Sequence, residues 1–455
     1  MTSVVLFTRD LRVRDNPALA AGADAGPVLS LFVFDDTLGS LAHSPNRQTF
    51  LRESLDDLDH SLRKRGSALV CRRGPFVDEV IRCASDVDAD TIHVADDVSM
   101  FANRRLANLE RAALKARLHV VRHAGVTVLA PGAVTPQGGG EFKVFTPYFR
   151  RWGEASWRRV LAAPTRIVNA GDGGSRATVA ELAPSIVGLP ARGLARGGET
   201  AGLARLKAWT ADHLHEYGER HDDLAGAATS QISPYLHFGC LSPLEVAVRL
   251  RDRDGGGPFV RQLCWRDFYH QVLAARPDAS TADYRPRGDR WIDDADAFTA
   301  WTQGLTGYPA VDAGMRQLLQ EGFMHNRARM VVASFLTKDL YLDWRAGAAY
   351  FMEHLVDADV ANNQLNWQWT AGTGSDSNPH RIFNPTTQGY RFDPSGDYVR
   401  RYVPELAALP GKTVHEPDAV ARQASGYPER FVDHHEAIAA YRARKVGLSS
   451  SDVEN

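Results

Sequence analysis

Cysteine and lysine are both scarce in this 455-residue chain, which has four of the first and seven of the second. Cys71, Cys83, Cys240 and Cys264 stand far apart and show no paired metal-ligand spacing, so the sequence predicts reduced thiols rather than disulfides or zinc, and implies no metal. Arginine supplies nearly all of the 53 basic residues, a bias that most simply reflects a GC-rich genome and only secondarily the aptness of guanidinium for phosphate. A net charge of -2 excludes a uniformly basic nucleic-acid binder but leaves room for a local basic patch. No apolar run approaches membrane-spanning length, and the opening M-T-S-V-V-L-F-T-R-D meets charge too soon for a signal peptide, so the chain reads as cytoplasmic, without a membrane partner. A glycine-rich dinucleotide fingerprint is also missing, which argues against a standard NAD site.

What is present is organised in two halves, as the length predicts. Short apolar runs at 4–7, 28–34, 68–71, 91–94 and 119–122 alternate with helical patterns at 48–65, 78–84 and 103–116, the layout of a doubly wound parallel sheet over residues 1–130. Such a sheet takes ligands at its strand C-termini, here T-R-D-L-R-V-R-D-N-P, D-D-T and A-D-D-V-S. Residues 131–199 lose any clear period and read as a long interdomain connection, one that must bury Phe142, Phe145, Tyr148, Phe149, Trp152 and Trp157. Residues 200–448 read as all-helical, with S-P-L-E at 242–245 predicting a capping box, and 449–455 form a short tail.

The helical half gathers the chemistry. In D-A-D-V-A-N-N-Q-L-N-W-Q-W, residues 357–369, Asp359, Asn363 and Trp367 fall at i, i+4 and i+8, placing a carboxylate, an amide and an indole on one helical face. Two readings stand side by side: a helix start capped by Asp357 or Asp359 with core tryptophans, or a face for a polar, planar ligand. The amides favour the ligand, because buried amides need partners. In Q-L-C-W-R-D-F-Y, Gln262, Trp265, Arg266 and Tyr269 make a stripe too polar for a core. In M-H-N-R-A-R-M, Asn326 and Met330 share a face flanked by Arg327 and Arg329, which suits an anion nearby. Thr229, Ser230, Gln231, Ile232 and Ser233 form a loop and helix start able to hold phosphate.

These stretches in this order, with T-G-Y-P-A-V-D-A-G-M-R-Q-L at 306–318, R-I-F-N-P-T-T-Q-G at 381–389 and T-R-D-L-R-V-R-D-N near the start, resemble the photolyase and cryptochrome family over nearly the whole chain. The likeness is greatest to microbial class I enzymes that repair cyclobutane pyrimidine dimers in DNA. The resemblance implies an α/β N-terminal domain with a Rossmann-like sheet, joined by the long connection to an all-α FAD-binding domain. It implies FAD contacts from Tyr217, Thr229, Ser230, Gln231, Ile232, Ser233, Arg266, Arg329, Asp357, Ala358, Asp359 and Asn363, the last facing the flavin N5 edge. Trp367, Trp344 and Trp291 match a chain that carries an electron to the flavin. Gln262, Trp265, Arg266, Tyr269, Asn326, Arg327, Met330, Trp369 and Arg381 match lesion or DNA contacts. Gln262 departs from the family pattern, since many relatives have glutamate there and an amide only hydrogen-bonds.

The resemblance further implies a second, light-harvesting chromophore in the N-terminal half. Ala102 and Asn103 replace the asparagine-glutamate pair of folate-binding members, while Asp35, Arg47 and Asp97 fall where deazaflavin-binding members place polar contacts. The expectation is therefore 8-hydroxydeazaflavin before folate. The expected partner is damaged DNA, the chain acting as a monomer with no obligate protein partner. A cryptochrome-like receptor is the alternative, but its extended tail is missing, and a histidine pair expected for (6-4) photoproduct repair is replaced by Asn326 and Met330.

Overall fold

The computed structural model describes residues 1–36, 44–172, 177–226 and 228–451, with side chains through residue 445. The chain divides into two compact units, the first made of Met1–Pro190, Ala195–Gly218 and Ser230–Pro277, the second of Ala191–Leu194, Glu219–Thr229 and the chain from Asp278 onward. Of the tail at 449–455, residues 449–451 close the helix His434–Ser451 and the rest lie outside the described residues.

The first unit holds a five-stranded parallel sheet of β1 (Ser3–Leu6), β2 (Val28–Asp35), β3 (Leu69–Gly74), β4 (Thr91–Ala95) and β5 (His119–His123), in the order β3-β2-β1-β4-β5. Every residue of β1 is buried, as a central parallel strand covered on both faces requires. Helices α1 (Pro17–Ala25), α2 (Pro45–Arg63), α3 (Phe76–Asp86) and α4 (Met100–Lys115) connect the strands. Helix α1 gave no signal in the sequence because P-A-L-A-A-G-A-D-A has no stripe of large apolar side chains. It is set instead by its start, where the Asn16 side chain accepts the Leu19 N–H ahead of Pro17.

The run T-R-D-L-R-V-R-D-N after β1 is mostly internal scaffolding. Arg12, fully buried, donates to the carbonyls of Arg14, Asp15, Gly125 and Gly239. Asp15 accepts from Arg158 and from the Leu161 N–H. Arg9 pairs with Asp97, just past the end of β4, at 3.1 Å; strand order reverses between β1 and β4. The aromatic stretch buries Phe142, Phe145, Tyr148 and Trp152 but leaves Phe149 and Trp157 half-buried, and part of it forms the unforeseen helix α5 (Phe145–Glu154), from which Trp152 donates to the buried Asp267 at 2.9 Å. Asp267 also accepts the Val128 and Leu129 N–H groups, and its burial raises its carboxyl to about 6. Ser242 caps the helix Pro243–Leu250 by accepting the Glu245 N–H, but the expected box is only half made, because the Glu245 carboxylate turns to Arg14 and Arg249, each at 2.6 Å.

The second unit is helical, around a core that includes Trp301, Tyr308, Phe335, Trp344, Phe351, Trp367 and Tyr398. All four cysteines are free and buried, and burial pushes the Cys71 and Cys240 thiols up to about 12, out of reach of thiolate chemistry. No helix among the described residues is long and apolar enough to cross a membrane.

Candidate functional site

The 357–369 stretch forms the helix Val360–Ala371 in the second unit. Asp359 is its N-cap, accepting the Asn362 N–H at 2.9 Å and the Asn362 side-chain amide at 2.7 Å, so the plain capping reading holds for this carboxylate. Most of the amides also find protein partners. Gln364 donates to the Ser280 carbonyl at 3.0 Å, and the fully buried Gln368 donates to Ala279 at 2.7 Å while accepting the Tyr284 N–H at 2.6 Å. These amides tie the helix to the 279–284 segment, which corrects the inference that they await a ligand. Asn363 differs. Its amide N–H groups go to the Ala348 carbonyl and the Gln364 side chain, both at 3.0 Å, while its half-buried oxygen accepts no hydrogen bond from the described residues. An open amide oxygen on a fixed side chain fits a flavin edge with an N–H to offer. Beside the same helix start, Arg329 pairs with the buried Asp357 at 2.9 Å, a charge-assisted contact that fixes a guanidinium where an anion could meet it. Ala358 is buried between the two carboxylates.

The three expected electron-carrying tryptophans belong to the second unit's core. Trp344 is fully buried with its indole N–H on Asp283 at 2.9 Å, and Trp367 is buried against Phe351 and Trp301. Trp291 is only half-buried and packs on Tyr341 with ring centroids 5.0 Å apart. Trp291 is thus the most exposed of the three, and the other two are sealed. Trp301, whose ring lies 6.1 Å from that of Trp367, is a buried core indole bonded to the Val332 carbonyl at 3.0 Å.

Among the expected lesion contacts of this unit, Asn326 and Met330 touch, the amide nitrogen lying 3.9 Å from the thioether sulfur, as their shared face predicts. Arg327 is drawn inward, bonded to Asp222 at 2.5 Å and lying 4.2 Å over Phe392. Arg381 is open, its side chain 43% exposed, held 5.2 Å over Trp369 and 3.2 Å from Asp376. His325 caps the helix Asn326–Ser334 by accepting the Arg327 N–H through Nδ1, and burial lowers its imidazole to about 4.

In the first unit the helix Gly256–Ala275 grades from solvent inward. Gln262 is exposed and Trp265 half-buried, while Arg266 and Tyr269 are buried. Tyr269 packs beneath Trp265, and Arg266 donates to the carbonyls of Val126 at 2.5 Å and Leu236 at 3.4 Å, so neither belongs to an open stripe. One face of Trp265 is already taken, because Phe145 stacks on it at 3.6 Å with planes 5° apart. Phe145 was foreseen as a buried ring but not as this backing. Tyr217 is buried edge-on to Trp209 and Phe259. The division between units falls inside the expected phosphate run, leaving Thr229 in the second and Ser230 to Ser233 in the first. Arg205 holds this run through the Ser230 carbonyl at 2.8 Å and the Gln231 side chain at 2.6 Å, and Gln231 adopts φ +51°. The helix that starts at Ser233 is a single short one, with Ile232 buried at its cap.

Two of the three expected antenna residues sit at strand C-termini of the first unit. Asp35 ends β2 and lies 3.6 Å from Arg105, Asp97 follows β4, and Arg47 lies in the first turn of α2.

The chain matches the family model described as DNA photolyase over residues 3–166 and the one described as the FAD binding domain of DNA photolyase over residues 259–445. It is 52% identical over 459 residues to the deoxyribodipyrimidine photo-lyase of Streptomyces griseus, covering 97% of this chain and 99% of that one. A bacterial class III photolyase from Agrobacterium tumefaciens superposes with TM-score 0.92 at 33% identity, covering 99% of this chain and 98% of that one. A cryptochrome from Synechocystis superposes at 0.89 with 31% identity over 97% and 98%. An archaeal photolyase from Sulfolobus tokodaii with two FAD molecules does so at 0.83 with 29% identity over 97% and 99%.

Proposed function

The chain belongs to the DNA photolyase family, and from that premise we propose that it is a deoxyribodipyrimidine photo-lyase, splitting cyclobutane pyrimidine dimers in damaged DNA with light and FAD. The carrying observation is 52% identity along essentially the whole of a protein of that name, with both family models matched in their own halves of the chain. When bound, FAD supplies the light absorption and the electron that opens the cyclobutane ring, chemistry that belongs to the cofactor.

The chain's own side chains have positioning roles. Asn363 is proposed to offer its open oxygen to the flavin N5 edge, and Arg329, set by Asp357, to meet flavin-side charge. Asp359 and Ala358 shape the helix start behind them. Thr229 and, in the first unit, Tyr217, Ser230, Gln231, Ile232, Ser233 and Arg266 are proposed as further FAD contacts. Trp291, Trp344 and Trp367 are proposed to return electrons from outside. Trp265 and Trp369 are proposed to stack on the extruded dimer, with Gln262, Asn326 and Met330 bonding or packing at its rim and Arg381 on a flanking phosphate. Photolyases are base-flipping enzymes, and a damaged pair costs least to extrude, so weak pairing contributes to selectivity. Gln262 supplies hydrogen bonds there but no proton.

The second chromophore is proposed to be 8-hydroxydeazaflavin, supported by Asp35 and Asp97 at strand ends that take ligands in sheets of this kind, with Arg47 in the first turn of α2. Chromophores released by acid and separated would decide among deazaflavin, folate and a second FAD. For the activity itself, the reduced holoenzyme is irradiated with blue light on a duplex carrying one dimer. Loss of the dimer in light and not in darkness is expected. FAD bound and photoreduced without any repair would overturn the proposal in favour of a cryptochrome-like receptor.

A further inference from the structure

Between the helices Val360–Ala371 and Pro385–Phe392 the chain runs through the segment that carries Arg381, and a buried cation grips it from behind. Lys338 lies in a single π-helical turn, Phe335–Asp339, that continues the helix Asn326–Ser334, and it is only 1% exposed. Its ammonium donates to the Pro379 carbonyl at 3.0 Å and the Arg381 carbonyl at 2.6 Å, the two that flank His380. One turn earlier, Ser334 accepts the Phe383 N–H at 3.3 Å. Gly372 leaves room for the Pro379 carbonyl, since a Cβ there would come within 2.3 Å of its oxygen. On the outer side the same segment holds Arg381 over Trp369 and against Asp376. π-Turns are rare and concentrate at functional places. An ammonium is a costly anchor for a loop that neutral groups could hold, unless its charge is used.

We propose that Lys338 is a positioning residue for DNA recognition, which fixes through two carbonyls the segment that presents Arg381 beside Trp369 to nucleic acid. This rests on the reading of Arg381 as a phosphate contact. The groups facing the ammonium are Lys445 and Tyr441 from the last helix, Asp289 from the 284–292 segment, Asp376, His380 and Arg381 from the gripped segment, and Asp339 from its own turn. Burial, with Lys445 and Arg381, lowers Lys338 to about 7 against the pull of Asp376 and Asp289. A phosphate on Arg381 adds negative charge to this set and favours the protonated lysine. DNA binding therefore takes up a proton, and affinity falls as pH rises through about 7. Fold stability moves the other way. The unfolded chain keeps a proton that the fold releases between about 7 and the ordinary lysine value, so Lys338's contribution rises with pH across that window. A merely structural lysine would make affinity follow stability.

The test uses holoenzyme and matched duplexes with and without one dimer, at constant ionic strength, from about pH 6 to about pH 9. Lys338→Met is expected to weaken binding to both duplexes by about tenfold at the acid end, to flatten the pH dependence, and to retain FAD. Because it acts through Arg381, it should add nothing in an Arg381→Ala background. Additive losses, or a pH decline that persists in Lys338→Met, overturn the proposal. If that variant does not yield folded holoenzyme, the parent is compared with Arg381→Ala alone, and a pH decline surviving in Arg381→Ala overturns it. Should Arg381→Ala leave affinity and salt dependence unchanged, the phosphate reading fails and takes this inference with it. Should Arg381→Ala weaken binding while Lys338→Met does not, the inference fails alone.

Discussion

Gly347→Ala would press directly on Trp367. Gly347 lies inside the helix Trp344–His354, and a Cβ there would stand 2.3 Å from Cη2 and 2.6 Å from Cζ3 of the Trp367 indole and 2.5 Å from Leu336 Cδ2. Carbon atoms rest at about 3.5 to 4.0 Å, so the indole must retreat by more than about 1 Å. It has little room, being 3% exposed with Phe351 at 5.0 Å and Trp301 at 6.1 Å between ring centroids. Alanine in a helix interior gains about 0.5 to 1 kcal/mol over glycine. Overpacking a filled core costs about 1 to 3 kcal/mol, so the clash outweighs the helical gain and a net loss of about 1 to 2 kcal/mol is expected. The urea midpoint should fall with an unchanged slope, and photoreduction of bound flavin by an external reductant should slow because the relay geometry around Trp367 has shifted. A variant as stable as the parent and photoreduced at the parental rate would refute both the close packing and the role assigned to that indole.

Three further outcomes separate recognition, electron supply and scaffold. Trp265→Ala should cost about 1 to 3 kcal/mol of affinity for dimer-containing duplex while leaving undamaged duplex unchanged, since only the face of Trp265 opposite Phe145 is left for stacking; equal losses on both would make Trp265 a fold residue. Trp367→Phe should block photoreduction yet leave repair by chemically reduced enzyme intact, and parental photoreduction would reduce Trp367 to a core side chain. His325, lowered to about 4, keeps its cap on the Arg327 N–H only while Nδ1 is unprotonated; the unfolded chain therefore binds more protons between about 6.5 and 4, and acid removes up to about 3 kcal/mol of stability across that window. His325→Asn, which can still cap, should show a shallower loss of urea midpoint between those pH values, and an unchanged slope would mean that another group titrates.

Much of the fold was legible because it is written in local periodicity. All five strands coincide with the apolar runs, whereas α5 lies in a stretch that reads as an aperiodic connection. Elements held by long-range polar contacts were not. Arg12 looks like one of several arginines in a charged stretch, and only the return of residues 125 and 239 to its guanidinium makes it a buried post. The capping signal at Ser242 was readable, whereas the turn of Glu245 toward Arg14, 231 residues away in sequence, was not.

The candidate site divides along the same line. Helical spacing put Asn326 against Met330 and set Asp359 one turn before Asn363, and both placements hold. Spacing does not say what a polar group bonds to. Asn363 and Gln368 are both amides on one helix, but the 279–284 segment satisfies Gln368 at both ends and leaves the Asn363 oxygen open. That difference is a matter of tertiary partners alone, and Asn362 and Asn366 share with Asn363 an oxygen left open among the described residues. Lys338 makes the converse case. In F-L-T-K-D a lone lysine reads as a solvated charge, and burial is the last thing its type suggests. The π-turn rotates it inward, and the distant 379–381 segment arrives with two carbonyls to receive it. A buried charge is tolerated only where such partners converge, so the convergence itself, invisible in any window of the sequence, marks the segment that Lys338 holds as one whose position matters.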